Sequence, residues 1–481
     1  MSAQTKTIEL TLDKTIEIAS DSSLQAFKAK NIYQSSYWEF LSYKAARLPS
    51  LNLRMTPFQY SRHITSRYNS EEDIDIYRKQ QTFSSFGNLS IRQNFDLTGG
   101  TFYIDSELEF RRIFGDNALT QFTAVPVRVG YIQDLFGFNS FKWEKRIEPL
   151  KYKKAKQQYL YNRESISETT TGYFFNLAMA QSEYDMAVEN VLSGDTLYRI
   201  GEERHKIAAI SQADLMTLKL DQLNAKNSLK NADIKLKRAM FSLVSFLNME
   251  QDTEVKLILP DIPINIHIQE EEALQYANEN NPYFIEYRQT VLEAEREVDR
   301  TQKASNFDAS FSASIGFNQY ADKFGDAYRN PSQQEIVSFT LNLPLVDWGV
   351  RKGRANMAKS NLNVTKLSVQ QNELNMEQDV LMTVTDFNSQ KDMILSAEEA
   401  MNLANMAYRN TKERFIIGKA DINSLTLSLS RQKEAQKNYI SALNEYWQSY
   451  YKIRKLTLFD FESGEPLSES FEKELNRGVK N

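Results

Sequence analysis

Apolar and small residues recur at alternating steps of three and four along two long stretches of the chain. In the first, Tyr173, Leu177, Ala180, Tyr184, Ala187 and Val191 lead on to Leu215, Leu218, Gln222, Ala225, Leu229, Ala232, Leu236, Ala239, Leu243 and Phe246. In the second, Ile394, Ala397, Met401, Ala404, Tyr408, Thr411 and Phe415 lead on to Leu425, Gln432, Ala435, Tyr439, Ala442, Tyr446 and Ile453. This is the rhythm of a heptad seam, and it predicts long coiled-coil helices. Proline, which interrupts helices, is absent between Pro149 and Pro260 and between Pro344 and Pro466.

Sliding the chain by 210 residues superposes the two stretches without an insertion, pairing Ala187 with Ala397, Tyr198 with Tyr408, Arg204 with Arg414, Leu215 with Leu425 and Gln222 with Gln432. The chain is an internal duplication. Each copy breaks phase at the same place, at Ala208-Ala-Ile-Ser-Gln and at Gly418-Lys-Ala-Asp-Ile, which predicts two helical hairpin tips. The first descending helix, from about Ser140 to Ile207, spans about 100 Å at about 1.5 Å per residue, whereas its return from Asp214 to Asn248 covers about 50 Å. Periodic segments at Phe284 to Lys303 and Leu24 to Ala46 supply the missing length. Each half then gives one long and two shorter helices stacked end to end, the wall of a long tube.

A period of two precedes each long helix. Leu51, Leu53 and Met55 alternate with polar neighbours, as do Phe307, Ala309, Phe311, Ala313, Ile315 and Phe317. Val125, Val127, Val129 and Tyr131, and later Val337, Phe339, Leu341 and Leu343, run into the two long helices. These are strands with one apolar and one small-polar face. Aromatic residues at their ends (Tyr60, Tyr131, Phe138, Trp143, Tyr320, Trp348) fit a membrane-spanning barrel with a wet lumen; a soluble sheet with one solvated face is the alternative. The first half carries about 50 extra residues, including a hairpin-like stretch around residues 87–112 that turns at Thr98-Gly99-Gly100. It either joins the barrel or stands above it.

Composition narrows the function. At 481 residues, with 25% charged and 41% hydrophobic content, the chain is long enough for two or three domains and a sizeable core. A net charge of −5 leaves no basic field for nucleic acid. Cysteine is absent and only His63, His205 and His267 are present, so no metal, cofactor or nucleophile cluster is expected, and the chain does not read as an enzyme. Gly99-Gly100 and Gly349 with Gly353 read as turns rather than phosphate loops. No run of 18 apolar residues exists, which excludes a spanning helix but not a spanning barrel. The N-terminal Met1-Ser-Ala-Gln-Thr lacks export features, so the protein is either cytoplasmic or a mature form without its signal.

The pattern resembles the TolC-type outer-membrane efflux and secretion channels over nearly the whole chain. The family's duplicated strand-to-helix box has counterparts in Gln133-Asp-Leu-Phe-Gly and Leu343-Pro-Leu-Val-Asp-Trp-Gly. Its tip box matches Arg204-His-Lys-Ile-Ala-Ala-Ile-Ser-Gln-Ala-Asp-Leu and Arg414-Phe-Ile-Ile-Gly-Lys-Ala-Asp-Ile-Asn-Ser-Leu. The resemblance implies a mainly α fold with β: duplicated coiled-coil hairpins forming an α-barrel, plus a transmembrane β-barrel shared by a homotrimer. Each chain would give four strands to a twelve-stranded barrel. The protein would sit in the outer membrane of a Gram-negative bacterium with its helices in the periplasm and its signal removed. It would act as a passive exit duct, closed at the tips and opened by a periplasmic adaptor and inner-membrane pump, with outer-membrane lipid and no nucleic acid as further partners. The alternative is a soluble coiled-coil scaffold with a small β domain.

On this reading the chain divides into an N-terminal helix (1–48), first barrel strands with the inserted hairpin (49–133), a first long hairpin (134–250), an equatorial connection (251–283), an upper helix (284–306), a second strand pair (307–346), a second long hairpin (347–458) and an equatorial tail (459–481), whose polar end from Glu462 wraps the waist or is disordered. Ala208 stands where the family has glycine, so a wider or differently held first turn is expected. Phe415 and Ala420 stand where a latching tyrosine and arginine are common, and Ser424 where a pore aspartate is; Asp214 matches the first-hairpin aspartate and Asp421 lies near enough to substitute. Asp214 and Asp421 either ring the aperture and favour cations or cap the returning helices. Glu203, Arg204, Glu413 and Arg414 are either inter-helix latches or exposed surface pairs. Ile207, Ala208 and Ala209, with Ile417, Gly418 and Lys419, are the candidate adaptor-docking residues, or tip packing alone.

Overall fold

The structure, a computed structural model, describes residues 7–115, 118–261, 266–305 and 307–469. In chain order the elements are β1 (Thr7–Leu10), α1 (Leu12–Ser22), α2 (Leu24–Ala45), β2 (Ser50–Asn69), β3 (Ile74–Asn94), β4 (Thr101–Phe114), β5 (Leu119–Leu135), α3 (Ser140–Lys206), α4 (Gln212–Phe246), β6 (Glu254–Leu257), α5 (Glu270–Asn280) and α6 (Pro282–Ala304). Then follow β7 (Asp308–Ala321), a 3-10 turn (Phe324–Tyr328), β8 (Ser332–Asn342), α7 (Val350–Ile416), α8 (Ile422–Thr457), β9 (Phe459–Asp460) and β10 (Glu465–Pro466). The long helices α3 and α7 have 67 residues each, so the duplication extends to element length. The N-terminal pentapeptide and the tail beyond residue 469 lie outside the described residues.

The chain divides into two units. One takes the chain up to Ser35, then Lys153–Ile285 and the chain from Gln371 on; the other holds Ser36–Tyr152 and Glu286–Gln370.

The first unit is helical. Leu10, Ala19, Ile166, Leu177, Leu243, Val244, Leu247 and Val255 form a buried cluster in which the parallel pair β1–β6 closes over the end of α4. Neither short strand has the length for a sequence signal of its own. At the end of α8 the chain turns through left-handed Leu458 and folds back as the β9–β10 hairpin, with Phe459 stacked on Tyr276 at 3.9 Å between centroids. Beneath it Arg454 donates to both oxygens of Glu164, at 3.0 and 3.2 Å, and to Asp460 at 3.3 Å, while the Tyr450 hydroxyl donates to Asp460 at 2.7 Å. Burial is the largest influence on the Tyr446 phenol, which is pushed up to about 12.

The second unit carries one antiparallel sheet in the order β2-β3-β4-β5-β7-β8. The resemblance implied four strands; the sheet has six, because the extra residues of the first half enter it as β3 and β4. Register binds that hairpin in firmly, with unbroken pairing from Asn94 opposite Thr101 to Gln81 opposite Phe114. Pro57 and Pro126, which cannot donate to a ladder, both sit at register shifts, between Thr56 and Gln59 and between Ala124 and Arg128. Where the sheet joins helices, Arg47 pairs with Asp96 at 2.9 Å and donates to the Phe141 carbonyl at 2.8 Å, and Trp143 donates to Asp299 at 2.8 Å.

The Glu164–Arg454 pair is nearly enclosed, with side-chain exposures of 10% and 18%. Glu164→Ala leaves that guanidinium short of its main partner, and we expect a loss of about 3 kcal/mol in thermal or denaturant unfolding. Glu17→Ala, which breaks the exposed Lys14–Glu17 pair, is expected to change stability by less than about 0.5 kcal/mol.

Candidate functional site

Two regions carry the functional candidates: the faces of the sheet in one unit and the hairpin tips in the other.

Register makes the sheet two-faced. Leu51, Ile91, Ile104, Val129 and Ile315 stand directly opposite one another in sequence across five strands, and Phe311 faces Phe339 across β7–β8. The adjacent row, on the opposite face, is Asn52, Ser90, Asp105, Arg128, Gly316 and Gln334. In it Arg128 grips Asp105 with bonds of 3.0 and 2.7 Å and reaches Glu107 at 2.9 Å. The apolar face lies open, with Leu53 at 65% and Phe339 at 61% exposure.

Aromatic rows bracket that open face. Phe58, Phe83, Phe110, Phe122 and Phe324 pass from ring to ring at 5.5, 5.8, 5.0 and 5.9 Å. Toward the helix-connected end, Phe95, Phe102 and Tyr131 do the same at 5.1 and 4.5 Å. From Phe102 to Phe110 a strand rises about 27 Å, or about 20 Å once tilted by about 40°, close to the apolar band of a membrane barrel. Beyond the outer row β2 and β3 continue as a two-stranded hairpin, from His63 opposite Gln80 to Asn69 opposite Ile74.

The tips arise from one turn used twice. At the end of α3 the Ala208 amide donates to the His205 carbonyl and the Ala209 amide to that of Arg204, both at 2.9 Å; at the end of α7 the Gly418 amide donates to Phe415 at 3.0 Å and the Lys419 amide to Arg414 at 2.8 Å. Both are Schellman turns, with left-handed Ala208 (φ 54°) and Gly418 (φ 81°). The expectation of a wider first turn is therefore corrected: alanine adopts the glycine geometry and bears the strain. Ile207 and Ile417 project from these turns at 76% and 64% exposure, beside exposed Ala209 and Lys419.

The two carboxylates cap the returning helices. Ser211 and Asp214 form a reciprocal capping box at 3.0 and 3.1 Å, so Asp214 holds the third helical position rather than the cap itself. Asp421 is the N-cap of α8 and accepts from the Ser424 amide at 2.7 Å and the Ser424 hydroxyl at 3.2 Å. Those donors hold the Asp421 carboxyl below its usual range, the Ser424 amide first.

Of the four charged candidates, Arg204 reaches across to the other hairpin, resting over the Phe415 ring at 5.6 Å and donating to the Ile416 carbonyl at 3.5 Å. The others have local geometry. Glu203 pairs with Lys206 on its own helix at 2.7 Å, Arg414 donates to Lys419 in its own turn at 3.3 Å, and Glu413 is exposed. Phe415 is 2% exposed in a cluster with Leu197, Leu218, Tyr408, Ile422 and Leu425, against which Ala420 packs. Gly201 permits this contact, since a Cβ there would stand 2.4 Å from Leu218 Cδ1.

Sequence reasoning missed what ties the hairpins. Gln222 donates to Asp195 and Gln432 to Asn405, at 2.8 and 2.9 Å, the same bond in both repeats. The 210-residue offset that pairs the glutamines also pairs Asp195 with Asn405, so this signal was present but unread. Lys412 on α7 donates to Ser193 on α3 at 2.7 Å. Between α4 and α8, Asp221 and Lys433 line a cavity of about 240 Å³. Burial pushes the Asp221 carboxyl up and the Lys433 amine down; a hydrogen bond with Thr426 and then the attraction of Lys433 offset the first only in part, and the attraction of Asp221 offsets the second only in part.

Residues 273–457 match the family model described as outer membrane efflux protein. No curated protein matches the chain by sequence. Among solved structures it is similar to the CmeC outer membrane channel of Campylobacter jejuni, at 15% identity and a TM-score of 0.68 over 96% of this chain and 89% of that one. It is also similar to the outer-membrane channel OprN, at 13% identity and 0.65 over 93% and 89%. The outer membrane protein VceC of Vibrio cholerae aligns at 13% identity and 0.64 over 93% and 95%. The family-model match lies in the second repeat, and the fold, over nearly the full length, is that of these solved outer-membrane channels.

Because the first turn places alanine in a left-handed conformation, Ala208→Gly is expected to stabilise by about 1 kcal/mol and Gly418→Ala to destabilise by a similar amount, read by unfolding of each variant. The lowered Asp421 pKa means the unfolded chain binds the proton more readily. Its stabilisation is present above the ordinary carboxylate range and is lost as pH falls through the folded value. Melting temperatures of wild type and Asp421→Asn are therefore expected to converge on acidification; a constant difference contradicts this cap.

Proposed function

We propose, from the efflux-family match in the second repeat as premise, that this chain is a passive outer-membrane exit duct of an efflux or secretion assembly and works as a homotrimer. One observation carries the reading: a sheet with an open apolar face, bracketed by aromatic rows, ends in two unpaired edges. In hydrocarbon those edge amides and carbonyls have no water to bond, so the sheet is viable there only when copies close it. The helical unit has the same need, for Met216, Leu220, Leu223 and Phe241 leave an apolar stripe along α4 about half exposed.

In this reading the sheet lies in the outer membrane of a Gram-negative bacterium, the helices in the periplasm, and the polar row with Asp105, Glu107 and Arg128 faces the aqueous path. The tips serve as the gate. Ile207 and Ile417 offer apolar contacts to a periplasmic adaptor, and Asp214 and Asp421, repeated by threefold symmetry, give the aperture a negative potential that favours cations. Arg204 on Phe415 holds the two hairpins of one chain together. Energy comes from an inner-membrane pump.

Negative-stain imaging of the protein purified in detergent tests the reading. Threefold particles wearing a detergent belt are expected; particles without belt or symmetry overturn it in favour of a soluble coiled-coil scaffold. In the same preparation Phe339→Lys puts a charge on the lipid face at a cost of about 2–4 kcal/mol near mid-bilayer, so assembled yield is expected to fall, whereas Ser338→Lys, on the polar face, is expected to assemble.

A further inference from the structure

We propose that three copies of this chain close an eighteen-stranded barrel, each joined to the next by β8 against the neighbour's β2, with a mouth wider than twelve strands allow. The inference rests on the trimeric duct reading and deepens it. Three copies of a six-stranded sheet supply the eighteen strands.

The inserted hairpin is built as barrel wall. β3 and β4 lie in the middle of the sheet, paired on both sides, so the barrel cannot close without them. Both faces run through them unchanged: Ile91 and Ile104 continue the apolar row, and Ser90 and Asp105 the polar one. The outer aromatic row also crosses them, at Phe83 and Phe110. A hairpin standing above the membrane would have no use for a lipid-facing row or for an aromatic rim at the same level as its neighbours.

The edges fit each other. Every pairing within the sheet is antiparallel, and with six strands the two edge strands run in opposite directions, so the β8–β2 junction is antiparallel too. Val337, Phe339 and Leu341 on β8 share the apolar face with Leu51, Leu53 and Met55 on β2, all exposed by 47% or more in the single chain. Junction pairing therefore aligns lipid face with lipid face and lumen with lumen.

Strand number sets the width. With strands about 4.8 Å apart and tilted about 40°, twelve strands give a backbone diameter of about 24 Å and eighteen about 36 Å. After about 5 Å of side chain on each wall, the lumen widens from about 14 to about 26 Å, and its cross-section more than threefold. At that width the barrel does not select among small solutes and also admits an extended polypeptide.

The chain has no cysteine, so introduced pairs are the sole thiols. In the full-length protein assembled in membranes, Ile104→Cys with Val129→Cys is expected to form an intrachain disulfide. Leu53→Cys combined in turn with cysteine at Val337, Phe339 or Leu341 is expected to yield, for one register, dimer and trimer bands on a non-reducing denaturing gel. A disulfide between Leu53→Cys and Val129→Cys, which requires β2 beside β5, overturns the proposal. Cryo-electron microscopy of the unmodified protein in lipid reads the count without any variant. Threefold particles with about 36 Å barrels support it; threefold particles with twelve strands overturn it and leave the duct standing; absence of threefold particles overturns both.

Discussion

The sheet unit depends on one constraint: every backbone donor and acceptor in an apolar medium needs a partner. Six strands satisfy each other internally and leave two rows of groups, on β2 and β8, that no part of the same sheet covers. The sequence accommodates this constraint in detail. The two prolines of the six-stranded sheet sit at bulges, where the ladder already skips a pairing, and on its polar face Arg128 and Asp105 form a bidentate pair. The apolar face is left bare, which is unfavourable in water and favourable in lipid. The efflux-family match and the fold of the solved outer-membrane channels agree with that reading.

The helical unit shows how a duplicated sequence preserves geometry while its chemistry drifts. Both tips close with the same pair of backbone bonds, although one has alanine and the other glycine at the left-handed position. Both returning helices begin with a side-chain cap, by a serine–aspartate box in one and an aspartate alone in the other. Both hairpins are bridged by a glutamine amide, to Asp195 in one and Asn405 in the other. What the repeats do not share is the asymmetric contact between them. Arg204 lies over Phe415, but its counterpart Arg414 turns back on its own loop.

The sequence by itself determined the fold class, because periods of three to four and of two are written in consecutive residues and need no distant partner. The strand-to-helix alternation, the duplication and the two tips follow from it. The cap at Asp421 was legible as one of two alternatives, since capping is local, whereas at the first tip the cap is Ser211 and Asp214 completes its box from the third helical position. Tertiary structure alone decided how many strands share the sheet, because a hairpin that alternates correctly has the same pattern whether it pairs with β2 and β5 or with nothing. It decided that Phe415 is buried in the tip cluster, for burial depends on what the other hairpin brings to it. It also decided the Arg454–Glu164 pair, whose members lie 290 residues apart. Ion-pair partners at such separation leave no periodic trace, and only the packing of one chain segment on another brings them together.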